Sequence, residues 1–279
     1  MVKIKVLLEN HAVNDRYKAK HGLSIFMEYN GRNILLDVGP DSKFLENANA
    51  MGVDLTKIDF LFLSHNHLDH TGGLNDFNKI NSSAPIYLMD DIKNRYYAKR
   101  SILKIPIAIP IGLKLKKRYH SRVTQLKDDL NIENKIFFLK NTISDNRKPT
   151  FNKVLLKKVK GRKINDTFDH EGILVLEDNN ELAVFNSCSH NGILNVIESV
   201  KRKIPNKKIR SYTGGLHLSN PATNQHESNE YLDNIVEKIK TLNVHIYTGH
   251  CTGKFVLQHL KEKLGNLIQE INTGMELNV

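Results

Sequence analysis

Only two cysteines, Cys188 and Cys251, occur in the 279 residues. That is too few for a disulfide framework and removes the disulfide-stapled secreted classes. No apolar run approaches the ~20 residues that cross a bilayer. The longest suspect stretch, Ile102 to Leu115, is broken by Lys104, Pro106 and Pro110 and reads as a loop or short elements. The opening MVKIKVLLEN has no apolar core followed by a small-residue cleavage site, so it reads as a first strand rather than a secretion signal. A reducing, cytoplasmic setting with no membrane partner is the expectation. The chain shows neither an internal repeat nor a low-complexity tract.

What is present is ordinary globular material, 40% apolar and 25% charged. That excludes whole-chain disorder and leaves enough for a sizeable core. Lys and Arg outnumber Asp and Glu by 41 to 30, a net charge of +11, which admits an anionic partner. The excess is local. Residues 91–165 hold 21 Lys and Arg against 5 Asp and Glu, whereas both flanks read as compact α/β sequence. The expected organisation is one domain over 1–279 with a basic insertion, a candidate lid, at about 91–165.

Strands are expected at Lys3–Leu8, at Leu23–Tyr29 and Arg32–Asp37 around an Asn30-Gly31 hairpin turn, at Ile58–Leu63 and at Pro85–Leu88. In the C-terminal half they are expected at Gly172–Glu177, Glu181–Asn186, Lys208–Thr213, Val244–Tyr247 and Met275–Val279. Helices are expected at Phe44–Met51, Gly192–Lys201, Asn229–Leu242 and Gly253–Leu264. Strands and helices alternating in both halves predict two packed sheets with helices outside.

Thirteen histidines are many, and their grouping is informative. Directly after the apolar run Ile58–Leu63 comes Ser64-His65-Asn66-His67-Leu68-Asp69-His70, four candidate metal ligands within six residues. Imidazole nitrogen and carboxylate oxygen suit zinc. In a strand-to-loop turn His65 and His67 can chelate as a pair, while Asp69 and His70 can reach a second ion ~3.5–4 Å away. Thr71-Gly72-Gly73 lets the backbone turn tightly beneath them. Other ligands are sought just beyond strand ends, where His190, His217 and His250 all fall.

The His65–His70 run (HNHLDH), the TGGL that follows it and NILLDVG at Asn33–Gly39 resemble the metallo-β-lactamase superfamily. HGLS at His21–Ser24, SCSHNGI at Ser187–Ile193, GGLHL at Gly214–Leu218 and GHCTG at Gly249–Gly253 resemble one subgroup. It is typified by archaeal 7,8-dihydropterin-6-methyl-4-(β-D-ribofuranosyl)aminobenzene-5′-phosphate synthase. The resemblance implies an α/β fold, the αβ/βα four-layer sandwich, with two mixed sheets, helices outside and a metal centre at the shared sheet edge. It implies one or two Zn2+ per chain, with Mn2+ or Fe2+ as alternatives. Residues are assigned accordingly: His65, His67 and His190 to one ion, Asp69, His70 and His250 to the other. The superfamily's usual bridging Asp is missing, and Cys188 stands about there, either a ligand or an inert core residue. His170 rivals His190, and His217 suits a substrate-side or supporting role.

A zinc lowers the pKa of its water to about 7 and so supplies hydroxide at neutral pH. Asp69 is the expected catalytic residue, orienting the nucleophile or taking its proton. The primary expectation is a metal-dependent hydrolase of a small anionic ester or phosphorylated substrate. The alternative is a synthase-type transferase of the named subgroup. A nuclease ranks third, because superfamily nucleases usually carry an appended domain whose motifs are absent, so no nucleic-acid partner is expected. Oligomeric state stays open, a homodimer included. The basic segment supplies candidate anion-binding groups. Arg95, Lys99 and Arg100 are placed on one helix, followed by Lys114, Lys116, Lys117 and Arg118, with Tyr96, Tyr97 and Tyr119 interleaved. Lys116, Lys117 and Arg118 are assigned to substrate binding. Lys116→Glu with Lys117→Glu is expected to raise KM for an anionic substrate without changing bound metal. An unchanged KM would reduce the segment to a solvated face.

Overall fold

A computed structural model describes residues 1–133, 135–143, 145, 147–220, 223 and 225–279, with all their side chains except that of Lys114. Two seven-stranded sheets dominate. The N-terminal sheet runs Glu276–Asn278, Lys3–Leu8, Ser24–Tyr29, Arg32–Leu36, Phe60–Leu63, Ile86–Leu88 and Val123–Gln125. The C-terminal sheet runs Ile268–Glu270, His245–Thr248, Lys208–Thr213, Glu181–Phe185, Gly172–Asp178, Ile136–Lys140 and Leu130–Glu133. Each is mixed. Arg32–Leu36, Phe60–Leu63, Ile86–Leu88 and Val123–Gln125 are parallel, as are Glu181–Phe185, Lys208–Thr213, His245–Thr248 and Ile268–Glu270, and the remaining pairs are antiparallel.

Strand alternation builds the layers. Ile34 and Leu36 face inward while Leu35 faces outward. Across the molecule Leu174 and Leu176 face inward while Ile173 and Val175 face outward. The inward sets, with Phe62, Phe138 and Phe185, form one core between the sheets. Outside the N-terminal sheet lie helices Lys43–Ala50 and Leu74–Ile80. Outside the other lie Ile193–Lys203, Asn229–Leu242 and Lys254–Leu264. This is the four-layer αβ/βα sandwich. The hairpin expected at Asn30-Gly31 and the one joining Gly172–Asp178 to Glu181–Phe185 both close on two-residue turns with left-handed backbone at each position: Asn30 and Gly31 (φ 49° and 75°), and Asn179 and Asn180 (φ 50° and 65°). That geometry matches the strands' own twist.

The basic segment is composite. Val123–Gln125, Leu130–Glu133 and Ile136–Lys140 complete the two main sheets, while Arg162–Asn165, Leu155–Val159, Tyr96–Arg100 and Leu103–Pro106 form a separate four-stranded antiparallel sheet. The helix expected to carry Arg95, Lys99 and Arg100 is therefore a correction. Tyr96–Arg100 is a strand, because its pairing with Leu155–Lys157 and Leu103–Pro106, distant or adjacent in sequence, outweighs local preference. No helix among the described residues is long and apolar enough to cross a membrane.

Phe62 and Phe138 meet across the central layer, ring centroids 4.9 Å apart, both fully buried. Truncating either to Ala should lower unfolding free energy in urea titration by about 3–5 kcal/mol. A loss under about 1 kcal/mol would contradict this packing.

Candidate metal centre

The site gathers at one edge, where the parallel strands of both sheets end. Asp37 follows Arg32–Leu36, the His65–His70 segment follows Phe60–Leu63, Ser187–His190 follows Glu181–Phe185, and His250 follows His245–Thr248. Antiparallel neighbours enter or leave at the same edge, delivering Glu9 and Asn10 after Lys3–Leu8, His21 before Ser24–Tyr29, and His170 and Glu171 before Gly172–Asp178. A backbone bond from Gly172 N to Ser64 O (2.8 Å) ties the two sheets there.

Past Leu63 the chain stays extended through His67 and then makes a single helical turn, Leu68–Thr71. Gly72 and Gly73 serve close packing here: Gly72 has an ordinary φ of −61°, but a Cβ on it would lie 2.0 Å from Pro40 O. His65 Nε2 and His67 Nδ1 are 3.0 Å apart. His65, His67 and His190 bring ligand nitrogens within 4.8 Å of one another, all buried. His67 Nε2 and His190 Nε2 have no hydrogen-bond partner among the described residues. Buried polar atoms are seldom left so, and converging imidazole lone pairs are what a zinc-type ion requires. On the other side of His65, His70 Nε2 meets Cys188 Sγ at 3.2 Å. Asp69 Oδ2 lies 3.6 Å from His70 Nε2, 3.4 Å from His250 Nε2 and 3.4 Å from His21 Nε2.

Supporting contacts hold each ring. Asp37, fully buried in a left-handed conformation (φ 57°), accepts Ser64 N (2.8 Å) on Oδ1. On Oδ2 it accepts Ser64 Oγ (2.7 Å) and Ser187 Oγ (2.6 Å) and meets His70 Nδ1 (2.8 Å). His190 Nδ1 faces Asn152 Oδ1 (3.2 Å), and Glu171 accepts the backbone N–H groups of His190 (2.8 Å) and Asn191 (3.0 Å). His250 Nδ1 faces Asn10 Oδ1 (3.0 Å), and its backbone N–H donates to Glu9. Such partners fix ring orientation and tune ligand basicity.

Burial drives His67 down to about 3, and it holds His65 and His190 well below the ordinary imidazole range with help from neighbouring histidines. These three rings are neutral, the form that binds metal. His70 is different. Burial would lower it, but Asp69 and Asp37 outweigh that and raise it to about 9. Burial alone would raise the Asp69 carboxyl, yet His70, His21 and His250 hold it well below the carboxylate range.

Sequence reasoning grouped His65, His67, Asp69, His70, His190 and His250, and the structure brings all six together. Of the two rivals, His190 joins His65 and His67, whereas His170, its Nε2 3.0 Å from Asp166 Oδ2, shares no ligand cluster among the described residues. His217 packs against His190 with tilted rings, centroids 4.2 Å apart, but shares no ligand cluster among the described residues. Cys188 lies inside the cluster. Lys116, Lys117 and Arg118 are exposed on a turn beside the outer face of the N-terminal sheet, and no described contact joins them to the histidines. Of the interleaved tyrosines, Tyr96 packs on His170 (4.3 Å between centroids) and approaches His67 (6.0 Å). Sequence reasoning did not single out Asp37, His21, Glu9, Glu171, Asn152 or Cys251. Asp37, His21 and Cys251 fall within motifs already visible (NILLDVG, HGLS and GHCTG), whereas the others carry no local signal.

This edge-of-sandwich cluster on an HxHxDH loop defines the class: the chain belongs to the metallo-β-lactamase superfamily. The family model for the metallo-beta-lactamase superfamily matches residues 18–128. The 7,8-dihydropterin-6-methyl-4-(β-D-ribofuranosyl)-aminobenzene-5′-phosphate synthase of Methanocaldococcus jannaschii is 30% identical over 267 residues, covering 90% of this chain and 88% of that protein. A second, uncharacterized protein of that archaeon is 27% identical over 273 residues, covering 95% and 96%. Among solved structures, Tm1679, described as a metal-dependent hydrolase of the beta-lactamase superfamily, superposes with a TM-score of 0.82 at 23% identity over 100% of this chain and 99% of that one.

Two outcomes follow from the site's electrostatics. A folded-state pKa of about 9 for His70, above the ordinary imidazole value of 6.5, means that its charged pairing contributes to metal-free stability fully below pH ~6.5. That contribution is lost as pH rises through about 9. Metal binding at neutral pH must then expel this proton, so zinc added to weakly buffered apoprotein should release acid and apparent affinity should climb from pH 7 toward 9. A flat profile would contradict it. Asp37→Asn should weaken metal affinity about 10–100-fold in competitive chelator titration. Wild-type affinity would remove Asp37 from its organising role.

Proposed function

We propose that this chain is a metal-dependent hydrolase of a small anionic substrate, with a phosphorylated ester as the best-supported class. The observation that carries it is the convergence of three neutral, buried imidazoles with an ionised Asp69 at the rim of the same cluster. His65, His67 and His190 would hold one ion, and Asp69, His70 and His250 would hold a second, zinc being the ion that this donor set suits. A bound ion supplies Lewis acidity and a water acidified to near neutrality. The protein's part is geometric and electrostatic. The His65–His67–His190 side is closed from water, whereas Asp69 and His21 are partly exposed, their side chains at 24% and 49%. Substrate therefore approaches past His21. There Asp69 accepts the nucleophile's proton, and His21, its own pKa raised chiefly by the hydrogen bond it gives to Asp69, can donate to the substrate's oxygen.

A second reading is favoured by the 30% identical synthase. In it an aromatic amine takes the place of water, attacking the carbon that bears the pyrophosphate of a dihydropterin pyrophosphate, and pyrophosphate leaves. The two readings share a site and differ in the nucleophile. Metal-loaded protein is to be given a panel of phosphoesters alone, and dihydropterin pyrophosphate with and without ribofuranosylaminobenzene 5′-phosphate. Turnover of an ester with no amine present supports hydrolysis, and turnover that requires the amine supports the second reading. Asp69→Asn should lower kcat on whichever substrate is accepted by about 10²–10⁴-fold. A loss under tenfold would take Asp69 out of the reaction.

A further inference from the structure

Cys188 and Cys251 come from loops at the ends of two different strands, Glu181–Phe185 and His245–Thr248. Both are buried, and their sulfurs lie 3.4 Å apart. With His250 they form a donor group whose ligand atoms all fall within 4.8 Å, and Cys188 belongs also to the group it makes with His65 and His70. His250 Nε2 is buried and faces Asp69 Oδ2 at 3.4 Å, on the rim of the same cluster. We propose that Cys188 and Cys251 act as a thiolate pair which, with His250, donates to the metal centre, giving it two sulfur ligands and a preference for zinc or ferrous iron over manganese or magnesium. This rests on the metal-centre reading above and adds its donor set.

The sulfur separation, that of a thiol–thiol hydrogen bond, also lies close to the spacing a shared ion requires. Two thiolates each ~2.3 Å from one tetrahedral zinc stand roughly 3.8 Å apart, within a few tenths of an ångström of what is seen. A disulfide needs about 2.05 Å, far closer than the 3.4 Å observed. The surroundings also suit a thiolate. The His217 backbone N–H donates to Cys251 Sγ at 3.3 Å, and a Cβ on Gly215 would sit 2.5 Å from that sulfur, so glycine leaves it room. Soft thiolate donors select zinc and iron, whereas manganese and magnesium take oxygen. The chemistry balances without an oxidant or reductant: each thiol loses its proton to solvent as its sulfur bonds the ion.

The test is X-ray absorption at the metal edge, with metal content, on full-length protein purified without chelator, as wild type and as Cys251→Ser. The expected wild-type spectrum contains sulfur neighbours at ~2.3 Å, with their number falling by about half in Cys251→Ser and with bound zinc resisting exchange by excess manganese. Metal at wild-type level with only nitrogen and oxygen neighbours would overturn the thiolate assignment and leave the metal centre standing. So would recovery of the native protein with the two cysteines joined. Absence of metal from wild type would overturn the metal-centre reading and this inference together. The wild-type spectrum decides the matter even where Cys251→Ser fails to fold.

Discussion

The site depends on one buried carboxylate. Asp37 leaves the N-terminal sheet and receives Ser64 from its own sheet, Ser187 from the opposite sheet and His70 from the ligand loop. An isolated carboxylate carried out of water would cost far more than any single hydrogen bond returns. Four contacts converging on two oxygens make it tolerable, and the same contacts fix where two strands of different sheets must end. Glu171 and Glu9 repeat the device on a smaller scale, each holding the backbone of a ligand histidine. Carboxylates placed behind the ligand histidines help set the geometry of the cluster.

The electrostatics divide accordingly. On the dry side burial dominates, and His65, His67 and His190 are kept neutral. On the wetter side charge pairing dominates, with His70 raised and Asp69 lowered. A proton therefore occupies in the metal-free protein the place that an ion would take, and proton and metal compete for His70. The fold supplies this asymmetry by closing the cluster behind His65 and opening it at His21 and Asp69. The two sulfurs lie between these sides, beside His70 and His250.

Much of this was legible in the sequence. Asn30-Gly31 marks its hairpin through residues that accept positive φ, and largely apolar runs such as Ile58–Leu63 mark strands buried on both faces. The ligand loop is visible because four donors in six residues require no knowledge of what lies opposite. What local pattern could not give is pairing at long range. Tyr96–Arg100 reads as a helix face until Leu155–Lys157 is set beside it. The preference for His190 over His170 becomes physical only once His190 is seen to converge with His65 and His67. Cys251 gains meaning only through Cys188, 63 residues away in sequence.

The most direct measurement is metal content per chain by elemental analysis, on wild type and His67→Ala, neither exposed to chelator, with circular dichroism to confirm that both are folded. The account predicts one or two zinc-type ions in wild type and loss of at least one in a folded His67→Ala. A folded variant that keeps the wild-type complement would contradict the ligand set on which the account stands.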